Sequence, residues 1–362
     1  MPSPSAPRFV SVYSGAGGLD LGFVQAGFES VWANDMDPYA CATFERNLGH
    51  HSAVGDVKSL EVPGKGEVDL VIGGPPCQGF SVAGRMDPDD PRSQHVRYFL
   101  AIVKRIQPRA FVMENVKALA VNQRWAPLRA SLQDDAELLG YRTTLLLLNA
   151  SHYGVPQARE RMFLVGIREG GEVIPEPTTE DQPPTVGETL QTLPPYGTPG
   201  NDKLCTATIT PAAKPVLRRS PFAGMLFNGK GRCLNLHAPA STLPASMGGN
   251  RTPVIDQEQL EKGGPAWIES YHAHLWDGGE PIDAIPSRLR RLTVQEAAAL
   301  QTFPADWEFE GPQSAQFRQI GNAVPPELAR HVALAVRRAL ESPAQKAASV
   351  EPTGQTVVSL AA

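Results

Sequence analysis

Cysteine is scarce in this chain: there are four, Cys41, Cys77, Cys205 and Cys233, widely spaced and with no CxxC pair. That excludes a disulfide framework and a thiolate zinc cluster, and it points to a reducing, cytoplasmic setting. No apolar run approaches the roughly 20 residues of a membrane span. The opening MPSPSAPRFV lacks both the basic n-region and the apolar h-region of a signal peptide. The dinucleotide fingerprint G-x-G-x-x-G is missing as well, because the third glycine position counted from Gly15 is Asp20. A dehydrogenase fails there. Acidic residues are absent from Lys203 to Ile255, a span that carries Lys203, Lys214, Arg218, Arg219, Lys230, Arg232 and Arg251. A local charge of +7 in a chain of net charge −5 is the footprint of a phosphate-contact surface, or else a solvated face that happens to be basic. His272 and His274 read as surface residues, and no metal site is expected.

What is present is an ordinary globular composition, 41% hydrophobic and 20% charged over 362 residues, enough for one large domain and a smaller one. Strand-like runs at Phe9–Tyr13, Ser30–Ala33, Leu70–Ile72, Ala110–Met113, Arg142–Leu148 and Met162–Gly166 alternate with helical patterns at Gly18–Ala26, Pro38–Asn47, Val96–Ile106 and Trp125–Leu139. That alternation predicts a mostly parallel sheet covered on both faces. After Arg168 the chain turns rich in Pro, Gly and Thr, and helical periodicity returns at Thr293–Gln301 and Glu327–Leu340. The residues from about Ser342 are small and polar, as in a disordered tail.

Asp69–Arg85, DLVIGGPPCQGFSVAGR, is the most informative stretch. An apolar strand stops at two glycines and two prolines, whose fixed φ presents Cys77 from a stiff platform. Cys77 is either a nucleophile or a small buried apolar residue. The turn Ser14–Gly22 after the first strand would let backbone amides approach a nucleotide-like cofactor. Asp35, about 20 residues on, stands where a ribose-hydroxyl acceptor belongs. Met36 could lie on an adenine face, and Asp56 could accept from an adenine amino group.

These blocks carry a family resemblance. Tyr13–Phe23 (YSGAGGLDLGF), Asn34–Asp37 (NDMD), Gly74–Ser81 (GPPCQGFS), Glu114–Val116 (ENV), Gln157–Arg161 (QARER), Arg290–Pro304 and Gln319–Pro325 (QIGNAVP) occur in the usual order of the carbon-5 cytosine DNA methyltransferases, which the chain resembles over nearly its whole length. The pattern departs from the family's at Ser11, often Asp; at Asp35, commonly Glu; at Met36, often Trp; and at Gln295, which stands for an Arg. The resemblance implies an α/β fold: a Rossmann-like, doubly wound methyltransferase domain dependent on S-adenosylmethionine, with a smaller irregular target-recognition domain inserted. The expected boundaries are 8–170 for the first part of the catalytic domain, 171–308 for the inserted domain and 309–341 for the return, with 1–7 and 342–362 as disordered tails.

It also implies site residues. The cofactor site would comprise Tyr13, Gly15, Ala16, Gly17, Gly18, Leu19, Asp35, Met36, Asp56, Val57, Pro75, Asn322 and Ala323. Cys77 would add to carbon 6 of a flipped-out cytosine, making carbon 5 nucleophilic toward the methyl group. Glu114 would act at N3 and the exocyclic amine, protonated and with its pKa raised by burial. Arg161, with Arg159, would hold the cytosine carbonyl, although Arg159-Glu160-Arg161 alone reads as a surface ion cluster. Ser81, Arg85 and Arg92, in a lid-like stretch, would contact phosphate. Arg232, Thr242, Asn250 and Arg251 would contact DNA, reading bases or phosphates. The expected partner is double-stranded DNA, methylated by a monomer, within a restriction-modification system that leaves room for a cognate endonuclease encoded nearby. The rivals are an RNA cytosine methyltransferase of the same fold, disfavoured by the lack of a Cys-Phe-Thr element and of a second active-site cysteine, and a catalytically silent DNA-binding relative, disfavoured by the intact Cys77, Glu114 and Arg161.

Overall fold

A computed structural model describes residues 6–76, 94–168 and 182–341, with the backbone of Val357–Ser359. The chain divides into two compact units, Met1–Tyr153 with Glu160–Glu180 and Val324–Ala362, and Gly154–Arg159 with Asp181–Ala323.

The first unit is built on one sheet. Its strands are β1 (Arg8–Val12), β2 (Glu29–Asp35), β3 (Ser52–Val54), β4 (Leu70–Gly73), β5 (Ala110–Val116) and β6 (Tyr141–Asn149). The next strand, β7 (Gln157–Ala158), belongs to the second unit, and β8 (Glu160–Arg168) returns to the first. The spatial order is β6-β8-β5-β4-β1-β2-β3. Pairing is parallel from β5 through β3. It is antiparallel where β8 enters between β5 and β6.

Alternate residues of the strands face opposite layers. Val10, Val12, Val71, Phe111 and Met113 share a core with Phe99 and Val103 of α3 (His95–Ile106), Leu119 of α4 (Lys117–Val121), and Leu132 and Ala136 of α5 (Ala126–Leu138). On the opposite face, Phe9 meets Phe23 of α1 (Gly18–Gln25) at 5.9 Å. Helix α3 shows why the sequence is helical there. Val96, Phe99, Leu100, Val103 and Ile106 form one buried stripe, with Lys104 and Arg105 in the last turn. Helix α2 (Pro38–Leu48) starts on the Asp37 carboxylate, which accepts from Tyr39 N, and ends at Gly49 with φ 76°.

Helix α1 packs on the C-terminal helix Pro326–Glu341 through Gly22, where a Cβ would stand 2.5 Å from Arg330 N and 2.6 Å from Pro326 O. Both are backbone atoms that cannot swing aside. Gly22→Ala is therefore expected to destabilise this unit by about 1–3 kcal/mol, read as a lowered urea midpoint. An unchanged midpoint would show that the two helices can part freely.

Among the described residues, the second unit has three small two-stranded pairings: β7 with β11 (Ala240–Ser241), β9 (Pro211–Val216) with β10 (Met225–Phe227), and β12 (Val254–Asp256) with β13 (Leu289–Arg291). Its helices are α6 (Val186–Gln191), α7 (Gln257–Lys262), α8 (Trp267–Trp276), α9 (Val294–Leu300) and α10 (Gln313–Asn322). A core of Leu226, Phe227, Val254, Ile268, Tyr271 and Leu289 holds it. Capping boxes at Thr185/Glu188 and Thr293/Glu296 set the starts of α6 and α9.

Particular contacts bound the two units, and one side chain departs from its expected surface position. Gly154–Arg159 joins the second unit because β7 pairs with Ala240–Ser241. The chain rejoins the first unit at Val324, α10 being bonded within the second unit through Gln313 Nε2 to Leu204 O and Gln301 Nε2 to Ile320 O. The tail after Ser342 contributes a strand, Val357–Ser359, parallel to Leu145–Leu147 of β6. His272 is buried, its Nε2 2.8 Å from Arg218 O. Among the described residues, no helix is long and apolar enough to cross a membrane.

Candidate active site

The parallel strands bring their polar termini to one edge of the sheet. From β1 the chain runs to β2 and β3 on one side, and β4 and β5 lie on the other. The crevice outside such a reversal is where open α/β sheets bind ligands.

The turn after β1 is held by Asp35 at the end of β2. Its carboxylate accepts from Gly15 N through Oδ2 and from Asp37 N through Oδ1, both at 2.9 Å. Burial pushes the Asp35 pKa up, against these amide bonds. Asn34 ties β2 to β3 and the turn after it, donating from Nδ2 to Ala53 O and Gly55 O. Gly15 and Gly17 take φ of 55° and 82°, and around Gly15 the space a side chain would fill is open. Ala16, Gly18 and Leu19 are buried in the same turn, and Met36 is 63% exposed. Asp56 caps a short turn through Lys58 N, with Val57 buried beneath it. Tyr13 adopts φ 57°, and its hydroxyl lies 3.0 Å from His95 Nδ1 at the start of α3. Burial raises the Tyr13 pKa and, with Lys58 nearby, lowers that of His95. The His95 contact was not legible in the sequence, because 82 residues separate the partners.

Glu114 and Arg161 meet on adjacent antiparallel strands. Val116 pairs with Arg161 and Glu114 with Phe163, so the two side chains are diagonal neighbours on one face. Arg161 Nε donates to Glu114 Oε1 at 2.8 Å, both side chains being largely buried, and Arg161 Nη1 donates to Glu160 O. Glu114 Oε2 faces Gly74, where a Cβ would stand 2.9 Å away. Gly74 thus gives the carboxylate room. Asn115 Nδ2 donates to Pro75 O at 3.2 Å, tying the end of β5 to the proline platform. Cys77, Ser81, Arg85 and Arg92 lie outside the described residues.

Arg159 has a different placement. It is buried in the second unit, donating from Nη1 to Leu243 O and from Nη2 to Gly321 O. Gln157 beside it donates to Gln301 Oε1 and accepts from Leu243 N. Thr242 is exposed, with its hydroxyl donated to Ala158 O. So Arg159 braces the Thr242–Leu243 element, in place of the surface ion cluster that the local sequence suggested. Asn322 closes α10 and is exposed, with Ala323 as its cap.

The chain matches the family model for C-5 cytosine-specific DNA methylase over residues 7–338. It belongs to this family. The methylase is 32% identical over 348 residues to the type II methyltransferase M1.HphI of Haemophilus parahaemolyticus, covering 91% of this chain and 86% of that protein. It is 33% identical to M.XorII of Xanthomonas oryzae, covering 94% and 87%. Its fold is shared, at TM-score 0.66 and 21% identity, with a putative DNA modification methyltransferase encoded within a prophage of E. coli, over 93% of this chain and all of that one. The fold is α/β with a largely parallel sheet, as expected, and the activity of the family is DNA cytosine-5 methylation.

In the methylase's second unit, Lys203, Lys214, Arg218, Arg219, Lys230, Arg232 and Arg251 are all exposed, as is Asn250. Arg251 Nη1 donates to Ser246 Oγ at 3.2 Å. The Met247–Arg251 loop is held by Gly248 N donating to Thr252 Oγ1.

Proposed function

We propose that this methylase modifies one cytosine of a short duplex DNA sequence, as the protective partner in a restriction-modification system, acting as a monomer. The observation that carries the chemistry is the buried Glu114–Arg161 pair opening onto Gly74 of the GPPC block. The family depends in general on S-adenosylmethionine, which when bound supplies an electrophilic methyl group. The residues present fit that group. The open space over Gly15, the acidic Asp35 and Asp56 and the exposed thioether of Met36 offer room, hydroxyl acceptors and an apolar surface at one sheet edge.

Cys77 is the nucleophile that adds to carbon 6, leaving carbon 5 electron-rich. Glu114, oriented by Arg161 through Oε1, is the residue assigned to N3, where its carboxyl delivers a proton as negative charge develops on the ring. Arg161 Nε and Nη1 are committed within the protein, and Nη2 is the donor assigned to the cytosine carbonyl. Arg159 positions the Thr242–Leu243 element rather than touching the base. The exposed cations of 203–255 neutralise phosphates, and Asn250 and Arg251 stand on a loop suited to base edges.

The test is bisulfite sequencing of plasmid DNA from a methylation-free host expressing the chain, beside Cys77→Ala. Conversion-resistant cytosines in one motif, absent in the variant, are expected. Complete conversion with the folded wild-type protein would overturn the reading and favour an RNA substrate.

A further inference from the structure

Two adjacent arginines in β13 have opposite surroundings. Arg290 gives two hydrogen bonds to the Glu296 carboxylate, at 2.8 and 2.7 Å, so its charge is cancelled inside the second unit. Arg291 is 2% exposed, and among the described residues it bonds only to neutral oxygens. Nε donates to Ala207 O at 3.0 Å, Nη1 to Thr252 O at 2.7 Å, and Nη2 to Asn228 Oδ1 at 3.0 Å and Thr208 O at 3.4 Å.

Those acceptors lie on three separate loops, around 207–208, 228 and 252. The loops at 228 and 252, or the residues next to them, present the exposed side chains of Lys230, Arg232, Asn250 and Arg251. The packing at the clamp is tight. A Cβ at Gly231 would stand 2.6 Å from Arg291 Nη1 and 2.8 Å from Thr252 O. Gly229 and Lys230 both take left-handed φ, 66° and 69°, a conformation that a lysine keeps only where its surroundings impose it. A buried cation among carbonyls is hydrogen-bonded yet not neutralised, so its field adds to that of the face above it. Only a planar fork with five donors can reach three loops at once; a lysine ammonium cannot.

We propose that Arg291 is the positioning residue for DNA recognition in this enzyme, holding the two basic loops around 228–232 and 250–252, with the 207–208 segment that braces them, in the register that reads the target sequence. This rests on assigning the basic face to DNA. The prediction is that Arg291→Lys raises the KM for cognate duplex about tenfold or more and relaxes the methylated motif at one or more positions, within the range of one to two lost base contacts. Turnover at saturating DNA and S-adenosylmethionine binding are expected to change far less, a split that general unfolding would not give.

The experiment measures KM, kcat, thermal melting and the bisulfite motif for Arg291→Lys, for Asn228→Ala, which removes one clamp bond, and for the triple variant Lys230→Ala/Arg232→Ala/Arg251→Ala. Unchanged KM and motif in folded Arg291→Lys would overturn the proposal. Should that variant fail to fold, unchanged KM and motif in Asn228→Ala would overturn it instead. If the triple variant binds DNA as tightly as wild type, the basic face itself is misassigned. Loss of affinity in the triple variant alone would sink only the role of Arg291.

Discussion

Glu114→Gln lowers the rate of methyl transfer on bound DNA by about 10²–10⁴-fold, the usual contribution of a positioned general acid. Gln keeps the shape of the side chain and its place over Gly74, and it can still accept from Arg161 Nε. It cannot give up a proton as charge develops at N3. Affinity for duplex DNA is expected to stay near wild type, because the basic loops belong to the other unit. Arg161→Met has a different signature. It strands the Glu114 carboxylate in a buried position, and losing one partner of a buried pair costs about 3–5 kcal/mol. The double variant Glu114→Gln/Arg161→Met should recover much of that stability and none of the activity. Single-turnover kinetics with urea unfolding reads both effects. A Glu114→Gln rate within about threefold of wild type would remove Glu114 from the proton-transfer step.

Asp20→Asn stabilises the protein, and the gain grows with pH. Asp20 is fully buried in α1, facing the Ser11 hydroxyl, and burial raises its pKa to about 7, with the Asp35 charge adding to the shift. Between the unfolded value near 3.8 and the folded value near 7, the native state holds a proton that the unfolded state has lost. Stability from this site is therefore complete below pH ~4, falls as pH rises toward 7, and levels off above it. The span of about three pKa units corresponds to about 4 kcal/mol. Asn mimics the protonated acid and has no such slope. Unfolding free energies of the two proteins, measured from pH 5 to 8, should diverge steadily up to about pH 7. Parallel curves would show that Asp20 titrates at an ordinary carboxylate pKa.

The elements of the first unit were legible because their causes are local. Apolar runs at Phe9–Tyr13 and Ala110–Met113, the stripe of α3 and the glycine turn after β1 follow from side-chain periodicity and backbone freedom at neighbouring residues. The Glu114–Arg161 partnership was anticipated as shared chemistry, but the bond itself comes from β8 running antiparallel to β5, and nothing in either run states that direction. The bracing position of Arg159 was hidden for the same reason. Its acceptors, Leu243 O and Gly321 O, lie 84 and 162 residues away. Helix α10 likewise owes its place to distant bonds, such as Gln313 Nε2 to Leu204 O.

The sequence by itself determined the methylase family, the doubly wound first unit and the candidate chemistry of Cys77 and Glu114, since these reside in short blocks whose residue types and spacing carry the meaning. Only the tertiary structure decided that Arg161 meets Glu114, that Arg159 braces Leu243, that Gly74 makes room for the carboxylate, and that Arg291 gathers three loops while Arg290 beside it does not. A buried polar group takes whichever partner the fold carries to it, and that partner is set by packing across the chain rather than by neighbours in sequence.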